Sequence, residues 1–384
     1  MNKRHFLQTL TLPLLAATVP ASRAQTIDAA AVARDYAALV YANYEDVLES
    51  ALQLQASVDA LTQQPTQAAL DDARKAWLAA REWYGQTEAY RFYSGPIDDE
   101  NGPEGRINAW PIDESYIDYV KGRSTSGLIN TRRVLITKSS IAQYNARGGE
   151  ENIAAGWHAI EFLLWGQDLS LDAPGNRPIA DYLDGKTANA DRRRTYLSTV
   201  TELLVDDLRF LVGAWTPGAR NYRERFERGG LDSVRKIIVG IASMSRGELA
   251  GERMEVALNN QDQEDEHSCF SDNTHRDIVT NALGVENVWL GRYRRLDGST
   301  LQGASLRDLV ATKNAGLAER TTKDIAASVA AAQRIKAPFD REIIDSGDTA
   351  GRQRVRATID SLLLQTKALT EAAAAIGIAR LAQG

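Results

Sequence analysis

Residues 27–62, IDAAAVARDYAALVYANYEDVLESALQLQASVDALT, decide the fold class of this chain. Apolar side chains recur every three or four positions through the stretch, as at Tyr36, Leu39 and Val40. This spacing places them on one face of a helix, so the stretch predicts a long helix with one buried stripe. Pro65, which cannot continue a helix, follows the stretch and ends it.

The rest of the chain continues the helical pattern. A second helix is predicted from about Thr66 to Tyr93, antiparallel to the first, and a long ordered loop between Gly95 and Pro111 follows it. No later stretch alternates polar and apolar residues as a strand would. Further helices are predicted at about 113–120, 125–135, 150–165, 191–215, 231–260, from 274 onward, 314–336 and 350–381.

The pattern as a whole predicts an all-α fold of two packed helical bundles. The joint Trp215-Thr216-Pro217-Gly218 divides them, giving an N-terminal bundle at 25–215 and a C-terminal bundle at 216–384. Residues 70–75, LDDARK, and 231–236, LDSVRK, share four identities at the start of two long helices. The echo suggests pseudo-symmetric halves, although helices rich in Leu and Arg also produce such matches by chance.

Residues 1–24 have the pattern of a cleaved secretory signal peptide. A positive segment at 2–5 precedes an apolar stretch at 6–19 and the small-residue pattern Ser22-Arg23-Ala24. Residues 3–8, KRHFLQ, also resemble a twin-arginine export signal with Lys in place of the first Arg. The pattern predicts cleavage after Ala24, a periplasmic location and no membrane span in the mature chain.

Composition excludes several classes of protein. The 384 residues carry a formal charge of −6, and removing the leader with Lys3, Arg4 and Arg23 would lower it to −9. An acidic surface repels nucleic acid and attracts cations, so no nucleic-acid partner is expected. Cys269 is the only cysteine, which rules out an intramolecular disulfide.

Histidine outside the leader is scarce, and it lies beside carboxylates. His158 occurs in Gly156-Trp157-His158-Ala159-Ile160-Glu161. Residues three apart share a helix face, so His158 and Glu161 can converge on one metal ion. Two ligands do not complete a site, and the motif lacks the second nearby histidine of the zinc proteases. The alternative is a hydrogen-bonded pair in a polar pocket between helices.

The other two histidines lie in a strongly acidic segment, residues 261–277. Repulsion among so many acids is unfavourable unless they are solvated, protonated or neutralised by a cation. A solvated loop is the alternative to a metal site, and Cys269 is either a soft ligand or a small buried residue. Mixed imidazole and carboxylate ligands suit iron, zinc, copper or manganese better than calcium. The relevant side chains are Asp262, Glu264, Asp265, Glu266, His267, Asp272, His275 and Asp277.

These residues resemble the imelysin family of bacterial envelope proteins, whose motif is Gly-x-His-x-x-Glu, and are most similar to its iron-regulated protein A branch. The resemblance covers essentially the whole chain after the leader. It implies an all-α fold of two bundles, a site between the halves, a link to iron acquisition, and His158 and Glu161 as metal ligands. The matching stretches are Trp77 with Arg81, 86–92, 95–98, 110–113, 156–161 and 264–275.

Several polar residues of the matching stretches are predicted to line the site. Arg81, Glu88 and Arg91 share one face of the second helix, where they either orient site carboxylates or form surface ion pairs. Asp98 and Asp113 flank the ordered loop and could complete the coordination sphere. Glu266 and Cys269 are added as lining residues because they lie beside His267.

The sequence therefore predicts a periplasmic metal-binding protein that acts in iron uptake or homeostasis, with envelope iron-transport components as partners. The predicted ligands are His158 and Glu161 with His267, Asp272 or His275; iron is the expected ion, and zinc or copper are alternatives. A second hypothesis is a metallopeptidase in which Glu161 or Glu266 activates a metal-bound water. A third is a scaffold whose polar cleft binds a partner or a haem-related ligand.

Overall fold

The computed structural model describes residues 27–344, 347 and 349–379. The predicted leader, residues 1–24, lies outside the described residues. Within the described ranges, none of the helices is both long enough and apolar enough to span a membrane. The predicted all-α class is confirmed, because only two three-residue strands interrupt the helices described.

The α-helices are α1 Ala29–Gln63, α2 Gln67–Thr87, α3 Glu104–Ile107, α4 Glu114–Ile117, α5 Lys138–Tyr144, α6 Gly156–Trp165, α7 Ala190–Trp215, α8 Tyr222–Arg228, α9 Leu231–Ser243, α10 Val256–Asn260, α11 Thr274–Leu290, α12 Leu306–Ala311, α13 Ala315–Ala332, α14 Asp340–Ile343 and α15 Ala350–Ala375. The three 3-10 turns are Glu88–Tyr90, Ile179–Tyr182 and Gln263–Asp265. A π-helical segment, Met244–Glu255, joins α9 to α10. The two strands are β1 Arg292–Arg294 and β2 Thr300–Gln302.

The first two helices form the predicted antiparallel pair. Each begins at a side-chain cap, since Asp28 accepts from the backbone N–H of Ala31 at 2.8 Å and Thr66 accepts from that of Ala69 at 3.1 Å. The apolar stripe of α1 is buried against α2 and α7. In the second half of the chain α13 packs on α15, and α11 packs on both α13 and α2. Helix α11 therefore joins the two halves.

The crossing of α2 and α11 is a close backbone approach. A Cβ atom on Gly284 would lie 2.3 Å from the carbonyl oxygen of Gln86, and one on Gly85 would lie 2.0 Å from Oγ1 of Thr280. Both distances are shorter than any real carbon contact, so only glycine allows the two helices to meet here. The crossing brings Arg81 of α2 next to Asp277 of α11.

Two expectations about local structure were wrong. Residues 125–135 form turns rather than a helix, because the guanidinium of Arg192 binds backbone carbonyl oxygens that a helix would use itself. These oxygens belong to Leu128, Ile129, Thr131 and Val134. Strands β1 and β2 form an antiparallel hairpin that is too short for an alternating pattern to be recognised. Asn273 stands at the cap position of α11, but its side chain makes no capping bond.

Candidate functional site

Helix α6 carries the first histidine, and its first residue is the glycine of the motif. Gly156 has φ +89°, and a Cβ there would lie 2.4 Å from the carbonyl oxygen of Ile107. Both features exclude other residues at this position. The start of α6 is thus held directly against the segment that carries Asn108. His158 and Glu161 are both buried on this helix, 1% and 0% exposed.

His158 is held by one ring nitrogen and leaves the other free. Its Nδ1 lies 2.8 Å from Oε2 of Glu161, whereas its buried Nε2 has no hydrogen-bond partner. Burial, together with His267 and Arg81, holds the pKa of His158 well below its usual value, so the ring is neutral. Glu161 is fixed from its other side, since the backbone N–H and the hydroxyl of Ser271 donate to Oε1 at 2.9 and 2.6 Å.

His267 reaches the same place from the acidic segment. Its ring centroid lies 4.6 Å from that of His158, with the two planes at 71°. Its Nδ1 lies 2.8 Å from Oδ2 of Asp277, and its Nε2 lies 3.4 Å from the amide nitrogen of Asn108. Burial and the charge of Arg253 lower the pKa of His267 to about 4, so this imidazole is also neutral near pH 7.

Two charged side chains complete the buried cluster. Arg81 Nη2 lies 3.0 Å from Oδ1 of Asp277, and its Nη1 donates to Oδ1 of Asn108 at 2.7 Å. Burial alone would raise the pKa of Asp277, but Arg81 and His267 hold this pKa well below its usual value. Burial, opposed by Ser271, raises the pKa of Glu161 to about 8. One carboxylate of the cluster is therefore ionised at neutral pH, and the other is mostly protonated.

Glu88 and Arg91 belong to an ion-pair network beside this cluster. Glu88 Oε2 lies 2.7 Å from Arg91 Nη1 and 2.6 Å from Arg253 Nη2. Burial alone would raise the pKa of Glu88, but the guanidinium groups of Arg91 and Arg253 lower this pKa to about 2. Arg253 also binds Glu248 at 2.8 Å; the two are five residues apart, the spacing of hydrogen-bonded partners in a π-helix. Glu88 is fully buried and the side chain of Arg91 is only 12% exposed, so the network is not the surface ion pair of the alternative.

The remaining predicted residues lie elsewhere. The carboxylate of Asp98 accepts from the backbone of Phe92 and Gly95 and so closes its own loop. His275 is half-buried and contacts the backbone carbonyl of Asp272 through Nδ1 at 3.0 Å. Burial and the charge of Glu161 raise the pKa of the Cys269 thiol well above its usual value. The structure thus unites His158, Glu161, His267 and Arg81 but not these three.

Asp272 and Glu266 belong to a second, acidic group. Among the described residues, the ligand atoms of Asp168, Asp272 and Asp340 form the one set of three or more His, Cys, Asp or Glu that lies within 4.8 Å of one another. His158, Glu161 and His267 do not converge so closely. Burial and the charges of the same three aspartates raise the pKa of Glu266 well above its usual value.

A surface depression of about 470 Å³ approaches the histidines. Trp110 and Asp113 line it together with Pro111 and residues 148–152. The ring of Trp110 meets that of His267 edge to face, with centroids 5.8 Å apart. Asp113 caps α4 by accepting from the backbone of Ser115 at 2.9 Å, so it lies at the mouth and not in the cluster. Trp110 thus lines the depression and also contacts the ring of His267.

Sequence reasoning missed Asn108 and Ser271, and named Asp277 only as one acid among several. Asp277 lies ten residues after His267 in the chain, and it pairs with Arg81 of α2 only because α2 and α11 cross at this point. Ser271 lies within the matching stretch 264–275, and Asn108 lies two residues before the stretch 110–113, which is the signal that could have drawn attention to them.

Comparison with known proteins agrees with this architecture. The family model for imelysin (peptidase M75) matches residues 40–369. Iron-regulated protein A of Synechococcus elongatus is 27% identical over 316 residues, which cover 79% of this chain and 75% of that protein. A crystal structure of a protein described as an iron-regulated protein A precursor, from Parabacteroides distasonis, shares the fold with a TM-score of 0.70 and 19% identity, over 91% of this chain and 95% of the other. With a family match over most of its length, the chain belongs to the imelysin family.

Proposed function

We propose that this chain binds a metal ion, iron in the first place, at the imidazoles of His158 and His267, and that it acts in iron uptake or homeostasis. One observation carries the proposal. Both buried rings bond a carboxylate through Nδ1, Glu161 in one case and Asp277 in the other, and neither Nε2 has a strong partner.

This arrangement is the one that metal-binding histidines commonly adopt. A ligating imidazole usually gives its second N–H to a carboxylate, which fixes the ring and raises its basicity. Metal binding also requires neutral imidazoles, and burial keeps both rings neutral here. This arrangement supports Nε2 of each ring as the metal ligand and an orienting role for Glu161 beside His158. Two protein ligands would leave coordination positions for water or for a further ligand.

The choice of iron rests on the relative's name and on ligand chemistry. The Synechococcus relative is named as iron-regulated. Imidazole suits iron, zinc and copper alike, so the ligands alone do not select among them. The leader pattern at residues 1–24 supports a periplasmic location, and the name of the Synechococcus relative supports a partner in envelope iron transport; both belong to the same proposal.

The metallopeptidase and scaffold hypotheses stay predictions. A peptidase needs a carboxylate beside a metal-bound water. Glu161 is engaged by His158 and Ser271, and the carboxylates of the second group surround Glu266. Cleavage of casein that a chelator abolishes, and that Glu161→Gln removes, would favour the peptidase. A haem-related ligand bound at the Trp110 depression would favour the scaffold.

Calorimetric titration of chelator-treated protein with Fe(II), excluding oxygen, and with Zn(II) tests the proposal. We expect one ion per chain, and we expect His158→Ala and His267→Ala each to weaken binding at least about a hundredfold. His275→Ala is the matched control, because it removes an imidazole outside the pair and should leave the affinity unchanged. Unchanged affinity in His158→Ala would refute the site, and metal analysis of protein purified without chelators identifies the native ion.

A further inference from the structure

Three aspartates from separate parts of the chain meet at one point. Asp168 follows α6, Asp272 precedes α11 and Asp340 begins α14. One oxygen from each lies within 4.8 Å of the others. Asp168 and Asp340 are 3% and 1% exposed, and Asp272 is partly exposed, so the point is closed except on one side.

A fourth carboxylate supplies an independent observation. Glu266 is completely buried, and neither of its oxygens has a hydrogen-bond partner. Its strongest charge interactions are repulsive and come from Asp340, Asp272 and Asp168, so its carboxylate lies near theirs, although outside the set of oxygens within 4.8 Å of one another. Buried carboxylates are normally hydrogen-bonded or paired, because an unpaired buried charge is strongly unfavourable. Glu266 is neither.

The unpartnered oxygens are concentrated in this group. Among the described residues, six buried carboxylate oxygens have no hydrogen-bond partner, and five of them belong to these four side chains. They are Asp168 Oδ2, Asp272 Oδ1, Asp340 Oδ1 and both oxygens of Glu266. Arg341, the basic residue next to Asp340, donates instead to the exposed carboxylate of Asp172. The carboxyls of Asp168 and Asp272 lie close enough to share a proton, and the hydroxyl of Thr274 faces Glu266, but the group still has more acceptors than donors.

We propose that Asp168, Asp272 and Asp340, with the buried Glu266 beside them, form a binding site for a hard, oxygen-preferring divalent cation of the calcium class, separate from the histidine pair. Carboxylate oxygens are the ligands that such cations prefer, and calcium binds them at about 2.3 to 2.6 Å. Oxygens up to about 5 Å apart can therefore share one calcium ion. The absence of imidazole and thiol donors among the four residues disfavours the softer metals.

The site would tie three segments together and would adjoin the histidine pair. Ser271 donates to Glu161, and its neighbour Asp272 contributes to the acidic group. Glu266 likewise precedes His267 in the chain. A cation at the acidic group would therefore stabilise the segment that positions Glu161 and His267. The proposal does not depend on metal binding at the histidines, and the two sites can be tested apart.

Thermal unfolding of the chelator-treated full chain, titrated with calcium chloride, tests the proposal. A ligand that binds only the folded state raises Tm with its concentration, and we expect a rise of about 3 °C or more at 2 mM calcium. The double variant Asp168→Asn and Asp340→Asn should lose this rise. Its metal-free Tm should exceed that of the parent chain, because two repelling charges are gone, and this higher Tm shows that the variant folds.

Two controls separate this site from its surroundings. Asp172→Asn removes a nearby but exposed acid and should keep the calcium-dependent rise. His158→Ala should also keep it, even where iron binding at the histidine pair is lost. A full calcium response in the double variant would overturn the proposal. So would the absence of any response in the parent chain up to 10 mM calcium, which would mean that shared protons alone neutralise the group.

Discussion

The imidazoles of His158 and His267 lie with their centroids 4.6 Å apart, although more than a hundred residues separate them in the chain. Each ring is fixed by a carboxylate that is itself fixed by another group. Ser271 holds Glu161, and Arg81 holds Asp277. The pair is therefore preorganised by four different segments, which makes its geometry sensitive to changes that touch neither ring.

Replacing Arg81 by Met should destabilise the protein strongly. The change leaves Asp277 with a buried charge and without its guanidinium partner, a situation that typically costs about 3 to 5 kcal/mol. Denaturant unfolding of the two proteins measures the difference. Arg276→Met is the matched control, since its pair with Glu82 is more than a third exposed on both sides and should contribute about 0 to 1 kcal/mol. Equal losses in both variants would contradict the assignment.

The stability of the metal-free protein should fall between about pH 4.5 and pH 8 because of Glu161. Its pKa is raised to about 8 in the folded state, so it keeps its proton where the unfolded chain has lost it. This contribution is fully present below pH 4.5 and is lost as pH rises through 8, by up to about 1.4 kcal/mol per unit. Glu161→Gln removes the titration. The unfolding free energy of the variant, relative to that of the parent chain, should therefore rise with pH. A constant difference would refute the raised pKa.

Metal binding should release about one proton per chain at pH 7. A cation at Nε2 of His158 favours the tautomer whose Nδ1–H donates to Glu161, so this mostly protonated carboxyl must ionise. Calorimetry in buffers of different ionisation enthalpy counts the protons. Glu161→Gln should release none from this position and should bind more weakly, by about 10- to 100-fold. Proton release that survives the substitution would place the titrating group elsewhere.

Gly156→Ala should lower stability by about 1 to 3 kcal/mol or more. The new Cβ meets the carbonyl of Ile107 at 2.4 Å, and φ +89° is strained for any residue with a side chain. Gly213→Ala is the control, because Gly213 lies inside α7 with open space around its Cβ position. There alanine should stabilise the helix by about 0.5 to 1 kcal/mol. Calorimetric unfolding of both variants compares them, and a loss from both would point to a general effect of the substitution.

Local patterns explain what the sequence could and could not reveal. The helix at 29–63 was predictable because its periodicity is a property of neighbouring residues. The turns at 125–135 were not, since Arg192, from a later helix, binds the carbonyl oxygens of that segment. The histidines were recognisable by their scarcity and by the motif around His158. The acidic group could not be seen, because its members lie in three distant segments and no pattern links them.

The contact of Gly85 and Gly284 with the facing helix has a consequence for motion. This contact holds α2, in the first half of the chain, directly against α11, in the second half. Many ligand-binding proteins close two lobes around their ligand by a hinge, but helices in backbone contact at the site leave no gap to open. Selectivity for an ion would then rest on a fixed arrangement of side chains and not on closure, and an ion that enters from the depression would pass Trp110, which contacts the ring of His267.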